Sequence, residues 1–117
     1  MVIGLVRLRL HIPAAHTLKD RRAVVRKALD KVRARFPVSA AEVGDTERWQ
    51  IATLAAVTVS NDRALAREVL DRVTSTVASA VAGQAVVLRR EGRVDSYNDD
   101  ESVGDADEEG FDGDGEA

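Results

Sequence analysis

Lysine and arginine side chains recur along this chain at spacings that suit the binding of phosphate groups. At about 100° per residue, one flank of a predicted helix carries a row of cations. They are Lys19, Arg22, Arg26 and Arg33. Such a row fits phosphate oxygens because arginine engages them with paired, charge-assisted hydrogen bonds. The alternative is a solvated helix face with local ion pairs, such as one between Arg26 and Asp30.

A second basic row lies on the predicted first strand, where apolar and polar residues alternate from Val2 to Ile12. Arg7 and Arg9 are on the polar face of that strand. We predict that they contact phosphate groups together with the helix. Two alternatives remain: ion pairs with Glu42 or Glu91 on neighbouring strands, or burial in a dimer interface.

A catalytic hypothesis depends on residues at the two predicted strand-to-helix turns, where free backbone N–H groups favour an anion. These residues are His16, Lys19, Arg22, Asn61 and Asp62. The simpler interpretation is that His16 is a loop residue and Asn61 a helix cap. The sequence contains no paired carboxylates, metal-ligand spacing or nucleophile elbow. We therefore expect no catalytic residues, no metal and no cofactor.

The only tryptophan, Trp49, stands at the base of a predicted hairpin beside Arg48. A single tryptophan is more often a core or interface anchor than a platform for nucleic-acid bases. We assign Trp49 to an interface.

The elements that position these residues follow from hydrophobic periodicity and capping signals. The predicted order is strand, helix, strand, strand, helix, strand, which describes a ferredoxin-like α+β sandwich with a four-stranded antiparallel sheet and two helices on one face. The first helix begins at Thr17 and stops at Pro37, and the final strand covers Ala85 to Arg90. In the third strand we place four apolar residues on the core face, namely Ile51, Ala55, Val57 and Val59.

The open face of such a sheet is where RNA-binding domains of this architecture stack bases on aromatic side chains. Aromatic residues make up only 3% of the chain, so base stacking is not expected. Contact with phosphates or with structured RNA is the remaining mode. Some ferredoxin-like proteins hydrolyse acyl phosphates with an arginine and an asparagine, and this fold parallel alone supports the catalytic hypothesis.

Charge divides the chain into a basic domain, residues 1–93, with net charge +8, and an acidic tail, residues 94–117, with net charge −11. The tail has few apolar residues, so we predict that it is disordered. It can fold back onto the first helix and weaken non-specific polyanion binding, or it can serve solubility alone. Without cysteine, a signal peptide or a transmembrane stretch, the protein is expected to be cytoplasmic.

Five segments in order resemble the YlxP-like family of small bacterial proteins without assigned activity. They are HIP from His11, TLKDRRAVVRK from Thr17, RARFPVSAAEVGD from Arg33, WQ from Trp49 and VSND from Val59. The resemblance implies a ferredoxin-like fold and offers no catalytic residues to carry over. Genes of that family often neighbour those of a translation initiation factor and a ribosome-binding factor, which implies a role near the ribosome.

These observations predict a non-catalytic module that binds RNA or a ribosomal subunit through the basic helix flank, joined by Arg7 and Arg9. The principal alternative is a homodimerising protein-interaction module without RNA binding. An acyl-phosphate-type hydrolase is the third hypothesis. No membrane partner is expected.

Overall fold

Four strands and two helices follow one another in a computed structural model that describes residues 1–44 and 48–98. Their bounds are β1 (Val2–His11), α1 (Leu18–Arg35), β2 (Ser39–Val43), β3 (Ile51–Ser60), α2 (Arg63–Ala80) and β4 (Val86–Ser96). The strands form one sheet in the order β2-β3-β1-β4, and every neighbouring pair is antiparallel. The predicted ferredoxin-like βαββαβ fold is confirmed.

The core lies between one face of the sheet and the two helices. Val6, Leu8 and Leu10 of β1 are buried on that face, and the intervening Arg7 and Arg9 are exposed on the other. This alternation is the one predicted for the first strand. Buried aliphatic side chains of both helices complete the core, and no described aromatic side chain is fully buried.

The predicted core face of β3 is wrong. Its buried residues are Ala52, Leu54, Ala56 and Thr58, and the register pairs Leu54 with Leu8 of β1. Ile51, Ala55, Val57 and Val59 therefore lie on the open face. Both the odd-numbered and the even-numbered residues of β3 include apolar side chains, so the pattern of this strand alone does not determine which set is buried. Pairing with β1 decides it, because residues opposite each other across a ladder share a face.

Side-chain caps start both helices: Thr17 caps α1 as predicted, and α2 is capped by Asp62 rather than by the preceding residue, Asn61. The Thr17 hydroxyl accepts a hydrogen bond from the Asp20 N–H at 3.1 Å, and the Asp62 carboxylate accepts from Ala64 and Leu65. Each cap satisfies backbone donors that have no partner inside the helix. Among the described residues, no helix is long and apolar enough to cross a membrane.

Strand β4 is longer than the predicted final strand. It continues past Arg90 to Ser96, which pairs with Val2, and the Tyr97 N–H donates to the Met1 carbonyl at 2.7 Å. Residues 94–96 therefore belong to the sheet, although composition assigns them to the tail. The first residues of β1 require backbone partners on that side, and those residues supply them. The rest of the predicted disordered tail, residues 99–117, lies outside the described residues.

Candidate nucleic-acid interface

Arginines from two strands and a loop line one end of the open sheet face. They are Arg7, Arg9, Arg48 and Arg89, and we call this group the arginine basin. Residues Val43, Gly44, Ile51 and Thr53 complete the wall of a depression of about 300 Å³. A concave surface lined by guanidinium groups is suited to anions, because the converging donors act on the same ligand.

Register explains how two of these arginines come to face each other. Arg9 of β1 lies directly opposite Arg89 of β4, beside a β-bulge that falls between Arg9 and Leu10 in the pairing. Like charges at opposed positions of an antiparallel pair destabilise the sheet. Within the described part of the chain, no ion pair or side-chain hydrogen bond satisfies the Arg9 guanidinium.

A single carboxylate, Glu91, serves two arginines of the basin. The Arg7 Nε donates to Glu91 Oε1 at 2.9 Å, and the Arg89 Nη2 lies 2.8 Å from Glu91 Oε2. The hydrogen bond and charge of Arg7, followed by the charge of Arg89, hold the pKa of Glu91 below its usual value. The ion pair of Arg7 with Glu91 was one of the predicted alternatives, and the structure contains it.

Glu91→Gln is expected to raise the affinity of the chain for phosphate-rich ligands about fivefold, because it removes a negative charge beside the arginines that would hold the phosphate. A wild-type protein titrated to lower pH should approach the same affinity, since protonation removes the charge as the pH falls through the lowered pKa of Glu91. Stability should fall over the same range, because a carboxylate with a lowered folded-state pKa stabilises the fold only while ionised.

Fluorescence anisotropy with a labelled RNA duplex, from pH 7 downward, measures the Glu91 effect. Glu68→Gln is the matched control, because Glu68 is an exposed carboxylate on α2 outside the basin. Equal affinity of both variants for RNA would show that Glu91 does not weaken the binding of phosphates in the basin.

The predicted flank of α1 is divided by the structure. Lys19, Arg22 and Arg26 are exposed, and no ion pair joins Arg26 to Asp30. Arg33 donates from Nε and Nη2 to the Ala40 carbonyl of β2, at 3.2 and 2.6 Å. Its guanidinium therefore ties the helix to the sheet edge, and three freely exposed cations remain for a ligand.

The structural role of Arg21 was not predicted from the sequence. Its side chain is only 2% exposed, forms an ion pair with Glu42 of β2, and donates from Nε to the Ile51 carbonyl at 3.0 Å. Glu42 faces the helices and so cannot pair with Arg7 or Arg9. The signal was available, because Arg21 shares the helical spacing of the buried residues Val25 and Ala28.

Trp49 lies in the loop that leads into β3 and is 51% exposed. The side chain is therefore not a core anchor. Its neighbour Arg48 lines the basin, so the tryptophan adjoins the candidate interface. Its assignment to an interface remains a prediction.

The catalytic hypothesis requires residues that lie at opposite ends of the sheet. His16 and Lys19 follow the end of β1, and Asn61 follows the end of β3, which runs antiparallel to β1. Over the ten paired residues, this separation is about 30 Å. Asp62 is engaged as the cap of α2. No group of three or more potential metal ligands occurs among the described residues.

The opposite end of the open face is apolar on β1 and β3 and carries the exposed ion pair Arg93–Asp95 on β4. Val57 and Val59 of β3 are 36% and 65% exposed, and Ile3 and Leu5 of β1 lie in register beside them. The open face thus has a basic half and an apolar half, the second bordered by one charged pair on β4.

Sequence comparison supplies a family. Residues 3–90 match the model of a protein family described as a protein of unknown function, DUF503. The uncharacterised protein YlxP of Bacillus subtilis (strain 168) is 30% identical over 90 residues, which span 77% of this chain and 98% of that protein.

Solved structures share the architecture at low sequence identity. The de novo designed protein LFR1 1, with ferredoxin fold, is 12% identical with a TM-score of 0.52 and covers 88% of this chain and 94% of its own. A protein described as an antibiotic biosynthesis monooxygenase from Chloroflexus aurantiacus J-10-fl is 16% identical with a TM-score of 0.50, covering 84% and 96% respectively. At these identities the likeness concerns the fold alone.

Proposed function

This chain belongs to the DUF503 family of proteins of unknown function, and we propose that it is a non-catalytic module that binds RNA. The proposed target is a ribosomal subunit. The phosphate contacts come from the arginine basin and from Lys19, Arg22 and Arg26 of α1. In this proposal the protein binds RNA through the sugar–phosphate backbone.

The observation that carries the proposal is the opposition of Arg9 and Arg89 across the β1–β4 ladder. Two arginines in such positions repel each other in the free protein. A phosphate between them would turn that repulsion into two charge-assisted hydrogen-bonding contacts. Binding of an anion in the basin therefore lowers the electrostatic energy of this surface.

Backbone contact is favoured over base readout by the side chains on the sheet. None of the four described strands contains an aromatic residue. Single bases therefore have no stacking platform on the open face. A structured RNA that presents phosphates at a fixed spacing is the ligand class that this surface fits.

The two basic surfaces meet at the β2 edge of the sheet. Arg33 ties α1 to β2 on the helix side, and Val43 and Gly44 at the end of β2 line the basin on the open side. A polyanion that follows this edge would contact both surfaces. The cations of α1 then extend the contact that the basin begins.

Co-sedimentation with ribosomal subunits across a salt series tests the proposed function. The full chain is compared with a full-length variant whose Asp and Glu residues in 99–117 are changed to Asn and Gln. Binding to one subunit that survives moderate salt supports the proposal. Binding that occurs only at low salt and only with the neutral tail would reduce it to charge attraction.

In the variant with neutral residues 99–117, Arg9→Thr is expected to stabilise the fold by about 0.2–1 kcal/mol, because it removes the repulsion with Arg89 and places threonine opposite Thr53. The same change should weaken RNA binding about tenfold through loss of a charged hydrogen bond. Urea unfolding and RNA anisotropy measure the two effects.

Arg9→Lys is the matched control for the threonine variant, because it keeps the charge and therefore keeps both the repulsion and most of the affinity. A threonine variant that loses stability would contradict this account of the basin.

A second candidate function is homodimerisation through the apolar half of the open face. The exposed pair Val57 and Val59, with Ile3 and Leu5 beside them, favours it. Mass determination by light scattering separates a dimer from a monomer. A dimer joined there would leave the basin accessible, so the two functions are compatible.

A further inference from the structure

We propose that the acidic segment 99–117 of this same chain occupies the arginine basin when RNA is not bound. The inference rests on the proposed function only in taking RNA as the competitor. The occupancy itself is a property of the free protein and can be tested without any nucleic acid.

Charge complementarity is the first argument. Residues 99–117 contain ten Asp and Glu residues and no Lys or Arg. The basin offers four arginines, and Glu91, a described carboxylate that lies beside it, is already shared by Arg7 and Arg89. Arg9 has no side-chain partner among the described residues, so additional carboxylates meet an unsatisfied guanidinium there.

Reach is the second argument. Strand β4 ends at Ser96, seven residues beyond Arg89, which corresponds to about 24 Å along the strand. Extended chain covers about 3.3–3.6 Å per residue, so roughly eight residues return from the strand end to the basin. The largest acidic cluster, Asp105 to Glu109, begins nine residues after Ser96. It is placed to reach Arg89 and Arg9.

Three of the arginines nearer to the start of the acidic segment are already engaged, and a fourth, Arg67, lies on α2, on the helix side of the sheet. Arg93 pairs with Asp95 at 2.9 Å, and Arg63 donates to the Ser96 hydroxyl and to the Val94 carbonyl. Arg90 is held by Asp71 and Thr74 under α2. These contacts reduce competition for the carboxylates along the way to the basin.

The topology favours the basin over the α1 flank as the docking surface. Strand β4 is one edge of the sheet, and β2, to which Arg33 ties the flank, is the other edge. The basin includes a residue of β4 itself and residues of the adjacent β1. The basin extends across the open face from β4 to the end of β2, and a segment that leaves β4 reaches its Arg89 and Arg9 first, without crossing the sheet. The docking surface proposed here therefore differs from the first helix, onto which the sequence composition alone had placed the acidic tail.

The consequence is competition within one molecule. A tethered segment acts at an effective concentration in the millimolar range, so it displaces weak polyanions and yields to a ligand with more phosphate contacts. The acidic segment would then set a threshold for RNA binding. The neutral-tail variant should bind RNA about tenfold more tightly than the natural chain at low salt.

Backbone amide chemical shifts in the absence of RNA test the occupancy directly. The natural full-length chain is compared with the full-length variant whose acids in 99–117 are neutralised. We expect differences at Arg7, Arg9, Thr53 and Arg89, and their disappearance at about 0.5 M salt, where screening is effective within a few ångströms. A matched pair of variants neutralises either 105–109 or 112–116, and only the first should reproduce the differences.

Two outcomes would overturn the inference: shifts confined to Lys19, Arg22 and Arg26, or no salt-sensitive shifts at all. The proposed function fails separately. If the basin signals respond to the tail and neither form binds RNA, the docking stands and the RNA ligand is wrong. If both forms bind RNA equally and the basin signals do not respond, the function stands and the docking is wrong.

Discussion

Replacing Arg9 and Arg89 together by Glu is expected to weaken RNA binding by about 100-fold or more. Each arginine supplies a charged hydrogen-bonding contact worth about 1.5–3 kcal/mol, and ~1.4 kcal/mol corresponds to a factor of ten in affinity. Reversal also places two carboxylates beside Glu91 at the site of the phosphate. Anisotropy of a labelled RNA duplex at fixed low salt measures the loss.

The matched control is the double variant Lys31→Glu with Arg67→Glu. Both positions are exposed, one on each helix, and neither belongs to the basin. The control changes net charge by the same amount, so it isolates position from total charge. We expect a loss of less than about tenfold, from long-range electrostatics alone. Equal losses in the two double variants would mean that the basin is not the binding site.

Arg21→Ala is expected to destabilise the fold by about 3–5 kcal/mol. The change removes a cation that is 2% exposed, leaves the Glu42 carboxylate without its ion pair, and frees the Ile51 carbonyl. Such a loss is a large fraction of the ~5–15 kcal/mol that stabilises an ordinary domain. Urea unfolding followed by far-UV circular dichroism measures it.

Two further variants distinguish a buried-charge penalty from simple loss of packing. Glu42→Gln keeps an acceptor for Arg21 and should cost less than Arg21→Ala. The double change Arg21→Met with Glu42→Leu should recover most of the stability, because an apolar pair has no unpaired charge. A double variant as unstable as Arg21→Ala would show that the cost comes from packing.

The fold was predictable from the sequence because capping residues and periodicity agree. Thr17 starts α1 where it was expected, and Asp62 starts α2 one residue after the expected cap, Asn61. The alternation of the first strand places Arg7 and Arg9 on the open face. The face of β3 was not predictable from its own residues. Apolar side chains such as Leu54 and Val57 occupy both parities, so only pairing with β1 selects the buried set.

The candidate site was predictable only in part. Arg7 and Arg9 follow from local alternation, and Glu91 was among the proposed partners of that strand. Arg89 enters the basin through strand register beside a bulge, and Arg48 enters through a loop. Such features depend on long-range pairing, which residue spacing within one segment does not encode.

Helical spacing of cations was an incomplete guide for a related reason. It placed Lys19, Arg22 and Arg26 correctly on an exposed flank, but it could not show that Arg33 bonds to the backbone of β2. A flank that borders a sheet edge shares its donors with that edge. The number of cations available to a ligand is therefore smaller than the number that the pattern contains.

The salt dependence of RNA affinity, compared between the natural chain and the variant Arg9→Gln with Arg89→Gln, tests the central claim most directly. Each phosphate neutralised contributes about 0.9 to the slope of log affinity against log salt on a duplex. Loss of two basin contacts should therefore make the slope shallower by roughly 1.8. An unchanged slope would show that Arg9 and Arg89 do not contact phosphates and would contradict the proposed interface.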